Sequence, residues 1–210
     1  MSRSKEAEAI AQRLAHRQGR RDEVLNVELG QALARKKDRQ AVTALTELFD
    51  DKKDGSGAIK VLYECGYIEP ELLVPHTDVF VGLLRCKNNR WVWGAATALA
   101  CVAQANPDAV WNNRQELFSA FAVGSVITKD ASLLALCRVA AADVDRAREL
   151  GPWFVQVFGE CRAKDLASWA TKVVPHLPPL AQDEVVDILR ARLPEVTAAS
   201  AKKKIDRLIK

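Results

Sequence analysis

The feature that most restricts the fold of this chain is that it repeats itself. The stretch "IEPELLVPHTDVFVGLLRCKNNRWVWGAATALACVA" is followed by "ANPDAVWNNRQELFSAFAVGSVITKDASLLALCRVA", and Pro70 precedes Pro107 by 37 residues. The same offset carries Leu62 onto Leu99 and Leu136, Phe80 onto Leu117, Leu84 onto Phe121 and Val102 onto Val139. A period of this length marks a repeat architecture, in which each unit buries its apolar side only by stacking on the next.

Each unit reads as a helix beginning near a proline, where the missing N–H costs nothing, then a short polar turn, then a second, Ala-rich helix. With only 10 Gly, 8 Pro and 6% aromatic residues, and with Ala and Leu abundant, the chain favours helix over strand throughout. The expectation is an all-α fold of about six antiparallel helix pairs, near 5–35, 38–66, 70–103, 107–142, 145–177 and 180–209, forming one domain over 1–210. Asp22, Asp38, Ser56, Asn89, Asp130 and Asp165 sit where N-caps are expected, and Gly66, Gly124 and "LPPL" punctuate ends or turns. The first and last pairs fit the pattern least, as capping units with one face in water should.

The segment "NNRWVWGAATALACVA" is the sharpest test of this reading, because it carries no charge after Arg90. Its apolar run is shorter than the roughly 20 residues that span a bilayer. It fits instead a second helix packed against its own partner and both neighbouring second helices. No membrane association is expected. The first 21 residues carry charges throughout and lack an apolar secretory core, which points to a cytoplasmic protein.

These residues resemble the HEAT/armadillo class of helical solenoids, in which a proline-initiated outer helix ("EPELLVPH", "NPDAVWNN") precedes an inner helix of the type "NNRWVWGAATALA". The resemblance covers the whole chain and is strongest from 56 to 142. It implies a right-handed α-solenoid whose concave face, built from the inner helices, holds a partner. The period falls short of the usual 40 or so residues. "KNNRWVW" and "TKDASLL" also stand where HEAT units carry an Asp and Arg ladder.

Helical wheels for five inner helices place two aligned rows on that face. One runs Lys60, Thr97, Leu134, Ser168, Lys203; the other runs Glu64, Cys101, Arg138, Lys172, Arg207. Trp93 lies beside them as an aromatic anchor. The face is therefore graded, near neutral towards the amino terminus and basic towards the carboxyl terminus. Residues 196–210 alone carry a formal +4, equal to the whole chain's net charge.

Catalytic and metal-binding patterns are missing from the sequence. His16, His76 and His176 are far apart, the five cysteines form no Cys-x-x-Cys pair, and there is no phosphate-cradling Gly loop, nucleophile elbow or H-E-x-x-H. Cys65, Cys101 and Cys137 recur every 36 residues as small residues reused at one place in the repeat. No cofactor and no catalytic residue is assigned. The function expected is a non-enzymatic scaffold holding a protein or peptide. The alternative is a nucleic-acid binder using the basic half, with a repair role like that of the HEAT-like alkylpurine DNA glycosylases as its extreme form; there Trp93 and Glu64 would stand near the ligand.

Overall fold

The computed structural model describes residues 3–177 and 179–210, except the side chain of Leu180. Pro178 of the "LPPL" turn thus lies outside the described residues. Among the described residues there are helices and no strands. The chain divides into two compact units, Met1–Ala135 and Leu136–Lys210, and the division falls inside one helix.

The first unit contains α1 (Lys5–Ala11), α2 (Val24–Lys36), α3 (Arg39–Thr46), α4 (Lys52–Gly66), α5 (Thr77–Leu84), α6 (Asn89–Ala105), α7 (Pro107–Trp111), α8 (Arg114–Val123) and the start of α9 (Val126–Ala141). Alternate helices pack on one another: α2 on α4, α4 on α6, and α1 on α3. Consecutive ones close hairpins, as α5 does with α6. This is the stacking that the 37-residue offset demands. Pro70 and Pro107 both open helical turns, but the outer helices are broken. Short 3-10 turns at Pro70–Leu72 and Val74–His76 precede α5, and α7 stops before α8 begins.

Several helices start at residues other than the expected caps. Asp38 does cap α3, accepting from the Ala41 N–H at 3.0 Å. The cap of α4, however, is Asp51 rather than Ser56, and that of α6 is Asn88 rather than Asn89. Ser125, not Asp130, accepts from the Thr128 N–H at the start of α9. In each case an acceptor nearer the turn meets the orphan amides first.

One buried charge organises the beginning of this unit. The Asp54 side chain is fully buried near the start of α4. It accepts from Arg3 at 2.7 Å, from the Nε and Nη2 of Arg17 at 2.9 and 2.6 Å, and it contacts His16 Nε2 at 2.9 Å. The hydrogen bonds from Arg17, then from Arg3, outweigh the burial penalty and hold its pKa far below the ordinary carboxylate range. The carboxylate thereby pins the amino-terminal segment and the α1–α2 connection onto α4.

Close helix approach is set by glycine. A Cβ at Gly30 would lie 2.6 Å from the Val61 carbonyl oxygen and 2.8 Å from Glu64 Cβ, so α2 meets the α4 backbone directly. A Cβ at Gly94 would collide with the Ile59 side chain, so α6 packs over that residue of α4.

The second unit follows the same scheme. It comprises the end of α9, then α10 (Val144–Glu160), α11 (Ala163–Val173), α12 (Pro179–Arg192) and α13 (Ala199–Leu208). α10 packs on α12 and α11 on α13. The Cys137 thiol of α9 approaches the Val173 carbonyl at the end of α11, at 3.5 Å. Arg192 closes the end of α10 by donating to the carbonyls of Phe158, Gly159 and Cys161, and it also pairs with Glu195. Those carbonyls are the orphan acceptors every helix leaves at its carboxyl end. Phe154, Phe158, Leu166 and Val173 form the buried interior with Ile205 of α13.

Candidate functional site

The apolar segment of α6 is enclosed more completely than a helical wheel indicates. Every residue from Gly94 to Ala103 is buried. Thr97 and Cys101, expected on the open face, are 9% and 2% exposed, and this part of the expectation is corrected. The reason is close packing by small residues. A Cβ on Gly66 would lie 3.0 Å from Cys101 Cβ, so the end of α4 closes over that position. The Thr97 hydroxyl turns back to donate to the Trp93 carbonyl at 2.8 Å, which satisfies it inside its own helix.

Beside this buried segment, α4 and the first turns of α6 carry a strip of aromatic and charged side chains in which Tyr67 is exposed, Trp93 and Arg90 are half-buried and Tyr63 is 5% exposed. Lys60 donates to Glu64 at 2.6 Å, and both are largely covered. Burial works against the Lys60 ammonium, but its hydrogen bonds to Glu64 and Tyr63 outweigh this and raise its pKa. Its Nζ lies 4.8 Å from the Tyr63 ring centroid. Tyr63 in turn meets Trp93 at 5.7 Å and Tyr67 at 5.8 Å between centroids. Burial pushes the Tyr63 phenol up. Trp93 is half-buried, and Tyr67, the C-cap residue of α4, is 61% exposed.

Arg90 fixes the other side of the strip. It lies 5.9 Å from the Trp93 ring, donates to the Ser56 carbonyl at 3.2 Å and pairs with Glu23 at the start of α2 at 2.5 Å. The two cations are thus held by carboxylates and by ring faces, so the strip has little net charge. Tyr63, Tyr67 and Arg90 were not among the residues expected from the sequence. The signal available was helical spacing: Tyr63 follows Lys60 by three and precedes Tyr67 by four, and Arg90 precedes Trp93 by three.

The other expected residues fall into two groups. Leu134, in the part of α9 belonging to the first unit, is half-buried. In the second unit Arg138 is half-buried, whereas Ser168 and Lys172 on α11 and Lys203 and Arg207 on α13 are exposed. Glu64, which the repair alternative sets near the ligand, is committed to Lys60. The thiols of Cys65 and Cys137 are buried, and burial pushes both up to about 12. Among the described residues no three His, Cys, Asp or Glu side chains converge as metal ligands would. No helix formed by them is long and apolar enough to cross a membrane.

Fold comparison defines the class. The chain has an all-α helical-repeat fold like that of designed armadillo repeat proteins. It is similar to an engineered protein solved in a structural genomics programme, at 17% identity and a TM-score of 0.65 over 98% of this chain and 96% of that one. A designed armadillo repeat protein in complex with the peptide (KR)4 matches over 99% of this chain and all of its own, at 12% identity and a TM-score of 0.63. A second engineered protein matches at 17% identity and a TM-score of 0.63, over 98% of each chain. No protein-family model and no curated protein sequence matches the chain.

Proposed function

We propose that this chain is a non-enzymatic binding module whose first unit docks an extended segment of a protein partner on the Tyr63, Tyr67 and Trp93 strip. The observation that carries the reading is a row of three aromatic rings, each within 6 Å of the next, with one ring exposed and one half-buried. Aromatic side chains supply large contact area at low entropic cost and dominate binding hot spots. The Lys60–Glu64 and Arg90–Glu23 pairs flank the rings and hold them in place. The similarity to a designed armadillo repeat protein solved with a peptide supports an extended peptide as ligand, although that peptide, (KR)4, is strongly charged.

The local charge balance separates this strip from a site for a strongly charged ligand. Lys60 is matched by Glu64 and Arg90 by Glu23. The partner segment is therefore one that seats an apolar or aromatic side chain against Trp93 and Tyr67. Selection of peptides from a displayed library on the intact protein tests the proposal. Selected peptides should lose at least 30-fold in affinity to Trp93→Ala, equivalent to about 2 kcal/mol for a hot-spot tryptophan. Binding to Lys203→Glu, in the second unit, should be unchanged. Peptides that bind Trp93→Ala and Tyr67→Ala as they bind the parent protein would rule this strip out.

A further inference from the structure

The second unit carries a charged surface that the peptide reading does not use. Lys164 and Lys172 lie exposed on α11, and Lys203, Lys204, Arg207 and Lys210 lie exposed on and just beyond α13. The two helices pack on each other, so their axes are roughly 8 to 10 Å apart. On both helices these cations lie opposite the buried positions, Leu166, Trp169 and Val173 on α11 and Ile205 on α13. Lys203 and Arg207 are one helical turn apart, a rise of about 6 Å.

Five of these side chains, all but Lys172, differ from four arginines of the same unit. Arg148, Arg162, Arg190 and Arg192 each pair with an acid three residues away. Lys164, Lys203, Lys204, Arg207 and Lys210, by contrast, make no ion pair with any described residue. Asp206 is the one acid in residues 196–210, so that segment keeps a charge of +4.

We propose that the exposed face of α11 and α13 binds the phosphate backbone of duplex nucleic acid without reading its bases. Three features select this partner among polyanions. The face is dominated by lysine, a point charge that neutralises phosphate without requiring planar geometry. Trp169, the aromatic residue of α11, is 5% exposed, so no stacking platform for single-stranded bases is offered here. Ile205 of α13 is fully buried and Leu208 and Ile209 are half-buried, so this face presents no fully exposed apolar side chain to anchor an acidic protein segment or to lay into a membrane.

Fluorescence anisotropy of a labelled 20-base-pair duplex with the intact protein tests this. Binding at 50 mM salt should weaken about 10²-fold by 200 mM, the fall for about four neutralised phosphates. The doubly reversed variant Lys203→Glu with Arg207→Glu should bind at least tenfold more weakly, and its log–log salt slope should be shallower by about 2. Circular dichroism should be unchanged, because both residues are exposed. Trp93→Ala should bind the duplex like the parent protein. The proposal is overturned by no retention at 50 mM, by equal binding of the reversed variant, by loss of duplex binding in Trp93→Ala, or by a polyglutamate peptide binding as tightly as the duplex.

Discussion

Replacing Asp54 removes the one charge around which the amino-terminal part of the first unit is assembled. Its carboxylate is fully buried, whereas the side chains of Arg3, His16 and Arg17 are 11%, 29% and 39% exposed. Removing one member of a buried ionic cluster costs about 3–5 kcal/mol, mostly because the others are left uncompensated. Here Arg3 keeps Asp50, and Arg17 can turn to water, so Asp54→Ala belongs at the low end, near 3 kcal/mol. Asp54→Asn preserves the shape but turns an amide donor towards guanidinium donors, and about 2 kcal/mol is expected. Urea unfolding followed by circular dichroism and tryptophan fluorescence measures both. The sign with pH follows from the depressed pKa. The stabilisation is complete above the ordinary aspartate value of about 3.9 and is lost as pH falls towards the lower folded value. The gap between parent and Asp54→Asn should therefore narrow below pH 4. A difference under about 1 kcal/mol at pH 7, or a gap constant down to pH 2, would refute the assignment of this carboxylate as the organising charge.

Glycine substitutions should split by sign. Gly30→Ala meets the Val61 carbonyl oxygen, a backbone atom that cannot step aside, and should cost about 1–3 kcal/mol in thermal or urea unfolding. Gly82→Ala on α5 meets nothing within 4 Å and should stabilise by about 0.5–1 kcal/mol. Thiol labelling of the native protein at pH 8 should begin at half-buried Cys86, while Cys65 and Cys137, buried with pKa values pushed up to about 12, should react only on unfolding.

The stacking of helices was legible in the sequence because it rests on a repeated local requirement. Leu62, Leu99 and Leu136 are all buried, at successive units, and Pro70 and Pro107 both start helical turns. The exposed side of α6 was not legible. A wheel gives an angle, not the distance at which neighbouring helices close in, and that distance here depends on Gly66 and Gly94 meeting residues 35 positions away. Thr97 and Cys101 were lost to the interior for that reason, while Trp93, at the same angle nearer the helix start, kept part of its ring open. The Asp54 cluster joins residues 3, 16, 17 and 54, and the aromatic strip joins 63, 67 and 93. Neither grouping has a linear motif. The charged rows on α11 and α13 were easier, since a helix whose polar side alternates with a single buried stripe exposes what its wheel says it exposes.

Incorporation of 5-fluorotryptophan tests most directly whether the first unit holds its ligand on this strip. The chain has five tryptophans, and the resonance missing from Trp93→Phe identifies the one at issue. On titration with a library-selected peptide, the Trp93 resonance should move most, with Trp153 and Trp169 of the second unit unmoved. A saturating peptide that leaves the Trp93 resonance in place while shifting another would contradict the account.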